Sequence, residues 1–141
     1  MRAFLDTSVL VATFYDGHEH HRPSFDLFVN QEKKSGCTAA HSLAEVYSVL
    51  TGMPGKDRAS GDEALLFLAN IRDRLTIVTL DPEECFRVLE AAAAMGVTGG
   101  GIYDAVLGYC ALKVKAETIF TWNVKHFTRL GQDITARVKT P

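Results

Sequence analysis

Ala3-Phe4-Leu5-Asp6-Thr7-Ser8-Val9-Leu10 is the stretch that decides how this chain is read. Three apolar residues make a short buried strand. An acid and two hydroxyl residues follow at once, side chains that cap a helix by accepting its unpaired backbone N–H groups. A helix over Val9 to Tyr15 is predicted, closed by Asp16-Gly17. A strand running directly into a helix is the building unit of an α/β fold. Polar groups at such a junction face the crevice beyond the carboxyl ends of the strands, where open parallel sheets build their sites.

The pattern recurs outward from that stretch. Phe25, Phe28 and Val29 mark a second helix over about Glu19 to Gln31, with Pro23 in its first turn. A strand is expected at Cys37 to Ala40. Ser42 then opens a helix whose apolar stripe is Leu43, Val46, Tyr47 and Leu50, stopped by Gly52-Met53-Pro54-Gly55. A helix from Gly61 to Arg72 carries Leu65, Leu66, Leu68 and Ala69, and Leu75 to Leu80 has the β-branched content of a strand. Pro82 starts a helix that runs through Ala91-Ala92-Ala93-Ala94 to the Gly96 stop. Ile102 to Lys115 is helical, Thr118 to Thr121 a strand, Asn123 the opening of a short helix, and Ile134 to Val138 an alternating edge strand. The order β α α β α α β α α β α β specifies a three-layer α/β/α fold around a central parallel sheet of about five strands. Residues 1–141 are expected to form one domain.

Composition narrows the function classes. The chain has 141 residues, 47% of them hydrophobic, enough for a substantial core. Asp6 lies too early for a secretory apolar stretch, and no run approaches membrane-spanning length, so a soluble cytoplasmic protein without membrane association is expected. Cys37, Cys85 and Cys110 are odd in number and set among apolar residues, which predicts small core side chains rather than disulfides or a zinc site. The formal net charge of −2 gives no overall basic signature. From Ala111 to Pro141, however, Lys113, Lys115, Lys125, Arg129, Arg137 and Lys139 face only Glu117 and Asp133. This basic segment suits a phosphate backbone or an ordinary solvated surface.

Asp6, Glu45, Asp104 and Asn123 each sit where a helix opens or a strand ends. Each has a plain structural reading. Asp6 caps a helix, Ser42-Leu43-Ala44-Glu45 matches a capping box, Asp104 favours a helix dipole, and Asn123 turns the chain. Capping alone does not require the four to converge, whereas the topology brings them to one crevice. Three carboxylates and a neutral amide oxygen suit a hard cation, Mg²⁺ or Mn²⁺. Such ions activate water and stabilise the leaving oxygen in phosphodiester cleavage, so a divalent-metal nuclease is the leading expectation. His18-Glu19-His20-His21 reads as a polar loop or dimer surface rather than a transition-metal site, His126 as a phosphate contact or packed helix end, and Asp81 as the cap of the helix from Pro82.

Four ordered stretches carry a resemblance: Phe4-Leu5-Asp6-Thr7-Ser8-Val9-Leu10, Leu43-Ala44-Glu45-Val46-Tyr47, Gly101-Ile102-Tyr103-Asp104-Ala105 and Thr121-Trp122-Asn123-Val124-Lys125-His126-Phe127. Together they resemble PIN-domain ribonucleases, especially the VapC-type toxins of toxin-antitoxin pairs. The resemblance implies that Asp6, Glu45 and Asp104 are catalytic metal-binding acids and that Thr121 supports them by hydrogen bonding. The family's fourth acidic position falls on Asn123. It further implies a PIN-like fold, Mg²⁺ (or Mn²⁺) dependence, an RNA substrate, a homodimer and a cognate antitoxin protein. Two other readings remain at this stage, a non-cleaving PIN-like module that binds RNA or protein, and a phosphoacceptor signalling domain with Asp81 as acceptor.

Overall fold

A computed structural model describes residues 2–141. Five parallel strands form its centre: β1 (Ala3–Leu5), β2 (Gly36–Ala39), β3 (Thr76–Val78), β4 (Thr118–Phe120) and β5 (Val138–Lys139), in the spatial order β3-β2-β1-β4-β5. Two helices join β1 to β2, α1 (Thr7–Phe14) and α2 (His21–Val29). Helices α3 (Ala40–Thr51) and α4 (Gly61–Arg74) lead to β3, and α5 (Pro82–Ala94) and α6 (Gly101–Lys113) lead to β4. Short helices α7 (Val124–Phe127) and α8 (Gln132–Thr135) precede β5.

Strand side chains alternate between the two sheet faces, and the packing follows that alternation. Phe4, Cys37 and Ile119 are adjacent in register and point into a core shared with Val88, Cys110 and Phe127. Ala3, Leu5, Ile77 and Phe120 point the other way, against Leu10, Phe28, Val46 and Ile71. Helices α1 to α4 therefore cover one face and α5 to α8 the other, the expected three layers. The strand order turns back on itself between β1 and β4, both central, so the crevice opens beyond Leu5 and Phe120.

Several local expectations are corrected. The stretch Ile134 to Val138 is not one strand. Ile134 and Thr135 end α8, and only Val138–Lys139 pair with β4. The residues have β-prone alternation, but fully buried Ile134 is held by packing on α6 at Gly108, where tertiary contact overrides local propensity. Ser42 does not begin α3. The helix starts at Ala40 without a side-chain cap, and the predicted capping box with Glu45 does not form. In α4 Ala64 and Ile71 are buried and Phe67 and Leu68 pack partly against the core, whereas Leu65 and Leu66 are exposed. Cys37 and Cys110 are buried as expected, but Cys85 is exposed, because the buried stripe of α5 runs through Val88 and Ala92. No helix among the described residues is long and apolar enough to cross a membrane.

Candidate active site at the sheet switch point

Asp6 leaves β1 and serves as N-cap of α1, its Oδ1 accepting from the Val9 N–H at 3.3 Å. That is the structural role read from sequence, and it accounts for one contact of several. Ser8 Oγ donates to Oδ1 and Thr121 Oγ1 to Oδ2, each at 2.6 Å. Lengths this short are typical of charge-assisted O–H···O⁻ bonds. Each hydroxyl is itself oriented from behind. The Trp122 N–H donates to Ser8 Oγ and the Asn123 N–H donates to Thr121 Oγ1, both at 2.9 Å. Two parallel relays thus run from the backbone after β4 to the carboxylate after β1. Despite these donors, burial dominates and pushes the Asp6 carboxyl up to about 6.

Glu45 comes from the second turn of α3, where it accepts from Thr7 Oγ1 at 2.9 Å and stands 3.8 Å from His41 Nε2. Asp104 comes from the first turn of α6, with His126 Nδ1 3.5 Å from its Oδ2. Burial raises the Asp104 pKa and the nearby charge of Glu45 adds to it, partly offset by His126 and Arg129. Asn123 is the N-cap residue of α7, but its side chain makes no capping bond. All four sequence-selected residues, Asp6, Glu45, Asp104 and Asn123, line one open cavity of about 460 Å³. Thr121 lies buried behind it.

The acids share a cavity without closing on one point. Among the described residues no three Asp, Glu, His or Cys side chains form a ready-made metal cage. The donor set still fits a magnesium-like ion, which keeps several of its waters and takes one or two carboxylates plus substrate phosphate, unlike an ion needing a complete protein cage. Sequence reasoning places Thr7 and Ser8 at the crevice with Asp6 but does not find their hydrogen bonds to the acids, nor the rest of the cavity wall. The hydroxyls of Thr7 and Ser8 were in view as capping groups, and their position one and two residues beyond a site acid was the available signal. His18, Glu19 and His20 also line the cavity, so the segment expected as a polar loop or dimer surface forms part of the site. His20 stacks on Trp122 with ring centroids 3.7 Å apart and planes 7° apart. Nothing local in the sequence signals that pairing, which joins residues far apart along the chain. Asp81 instead forms a reciprocal capping box with Glu84, away from the cavity. With the strand order β3-β2-β1-β4-β5 instead of the 2-1-3-4-5 order of signalling receivers, this removes the phosphoacceptor reading.

Comparison with known proteins places the fold. The family model of the PIN domain matches residues 3–131. The chain belongs to the PIN-domain family. It is 33% identical over 114 residues to the ribonuclease VapC40 of Mycobacterium tuberculosis, covering 81% of each chain. The fold is similar to that of the Mycobacterium tuberculosis toxin VapC20, which cleaves the sarcin-ricin loop, with a TM-score of 0.67, 17% identity and coverage of 88% of this chain and 92% of that one. It also superimposes on a chain of VapBC2 from Rickettsia felis, solved with promoter DNA, with a TM-score of 0.66, 17% identity and coverage of 99% and 98%.

Proposed function

We propose that this PIN domain, taken as one nuclease unit over residues 1–141, is a divalent-metal-dependent endoribonuclease and the toxin of a toxin-antitoxin pair. The observation that carries the chemistry is the convergence of Asp6, Glu45 and Asp104, from three separate junctions, on one cavity. The ribonuclease relative supports RNA as the substrate. The toxin-antitoxin structure among the fold neighbours supports a protein antitoxin as partner. The homodimer expected from the resemblance belongs to the same proposal.

Asp6, Glu45 and Asp104 would hold Mg²⁺ or Mn²⁺, with the Asn123 amide oxygen as a neutral fourth group. The ion supplies positive charge to the phosphodiester oxygens and lowers the pKa of water. The chain supplies position. Ser8 and Thr121 fix both oxygens of Asp6, and Thr7 fixes Glu45, so these two acids are held in place before charge develops. His126 and Arg129 stand near Asp104 and suit a bound phosphate backbone. The direct test incubates purified, nuclease-free protein with total cellular RNA in Mg²⁺ or in EDTA. Discrete fragments only with metal support the reading, and intact RNA under both conditions refutes it. Calorimetry provides a separate readout: Mn²⁺ should bind the native protein and not an Asp6→Ala/Asp104→Ala double variant.

A further inference from the structure

A second stacked ring pair stands beside the acidic cavity. His41, at the start of α3 after β2, and Tyr103, in α6 just before Asp104, lie nearly parallel, with planes 9° apart and centroids 5.0 Å apart. Because β2 and β4 lie on either side of β1, this pair and the His20–Trp122 pair flank Asp6 on opposite sides. The two are not equivalent. Trp122 is tied down, donating through Nε1 to buried Ser24 Oγ at 2.8 Å, and His20 lies directly against its ring. Tyr103 is 51% exposed, and its hydroxyl makes no hydrogen bond among the described residues, so the stack on His41 is the one aromatic contact that holds its ring.

Beyond His41 and Tyr103 opens a cleft of about 400 Å³ with apolar walls from Val78, Leu80, Val106 and Cys110. It adjoins the acidic site at two places, the 3.8 Å approach of His41 to Glu45 and the chain neighbours Tyr103 and Asp104. Unpaired RNA bases are recognised by stacking on Tyr and His rings, with the phosphate backbone held outside by polar and basic groups. A phosphodiester over the acids would carry an adjoining base to within reach of this ring pair. Resting on the ribonuclease reading above, we propose that the His41–Tyr103 stack and the cleft behind it form a subsite for one unpaired nucleobase next to the scissile phosphodiester.

The test measures kcat/KM on a short RNA containing the cleavage site, and on the same RNA with a single abasic nucleotide placed at each position in turn. At one position beside the cut, removing the base should cost about tenfold to a hundredfold, the range for losing one stacked base. Tyr103→Ala and the bulk-preserving Tyr103→Leu should cost about the same on intact RNA and nothing further on that abasic RNA. Tyr103→Phe should stay within about threefold of the native rate. Mn²⁺ binding by all three variants should be unchanged. Native-like cleavage by Tyr103→Leu overturns the subsite. So does a loss that persists in full on every abasic RNA, which is the behaviour of a packing residue or of a surface for a protein partner. If the native protein cleaves RNA but no abasic position matters, the subsite alone fails. If it cleaves none, the ribonuclease reading fails with it.

Discussion

Asp6 concentrates the conflict between stability and function in one side chain. Its carboxyl is buried, and burial raises its pKa from 3.8 to about 6 even with Ser8, Thr121 and the Val9 N–H as donors. A raised folded-state pKa stabilises the fold below the unfolded value, and that contribution is lost as pH rises from about 4 through about 6. The two-unit shift sets an upper limit of about 3 kcal/mol. Asp6→Asn keeps a side-chain oxygen for the cap but cannot ionise. In EDTA, thermal denaturation should therefore favour the Asn variant increasingly from pH 4.5 to pH 7.5, while its cleavage of RNA is lost. An equal deficit at both pH values would show that the Asp6 charge carries no cost. For the metal-free protein the same titration predicts Mn²⁺ binding that weakens below about pH 6, as a proton competes with the ion for Asp6. At position 123, Asn123→Asp introduces a further carboxylate into the cavity and should maintain or raise the cleavage rate in Mg²⁺.

At the scale of elements, the junctions were legible in the sequence because strand, cap and helix follow one another within a few residues. Asp6 and Asp104 both lie where the caps and dipoles of their helices favour them, and that same placement aims them at the crevice. Glu45 was legible as a residue off the apolar stripe of α3, but its local explanation was mistaken. The helix begins two residues earlier than Ser42, and Glu45 turns to Thr7 in place of the helix N-terminus. Ser42 itself is buried, and its Oγ has no hydrogen-bond partner among the described residues. An unpaired buried hydroxyl is costly and Ala is the better helix former, so Ser42→Ala should raise unfolding free energy by about 1 kcal/mol in urea titration. A loss of stability would mean that the hydroxyl has a partner in solution. What remained illegible was long-range. The burial of Ile134 against Gly108, and the meetings of His20 with Trp122 and of His41 with Tyr103, depend on how the layers close over the sheet. Periodicity within one segment carries no information about that closure.

For the whole molecule, the site exists only because the sheet order reverses at its centre. Residues from positions 6, 45, 104 and 123 meet there, and no single helix or hairpin contains more than one of them. The fold places an acid-lined cavity next to basic groups of the carboxyl-terminal segment, the arrangement that the proposed metal-assisted action on a polyanion requires of a mildly acidic protein. Binding at the cavity should couple to global stability, since an ion that binds the folded chain preferentially raises its melting temperature. The most direct measurement of the central claim compares RNA cleavage by purified native protein and Asp104→Asn in Mg²⁺, with circular dichroism confirming that both are folded. The substitution preserves shape and removes one charge, so cleavage should fall by about two or more orders of magnitude with the fold intact. Cleavage by Asp104→Asn at the native rate would contradict the assignment of this cavity as the active site.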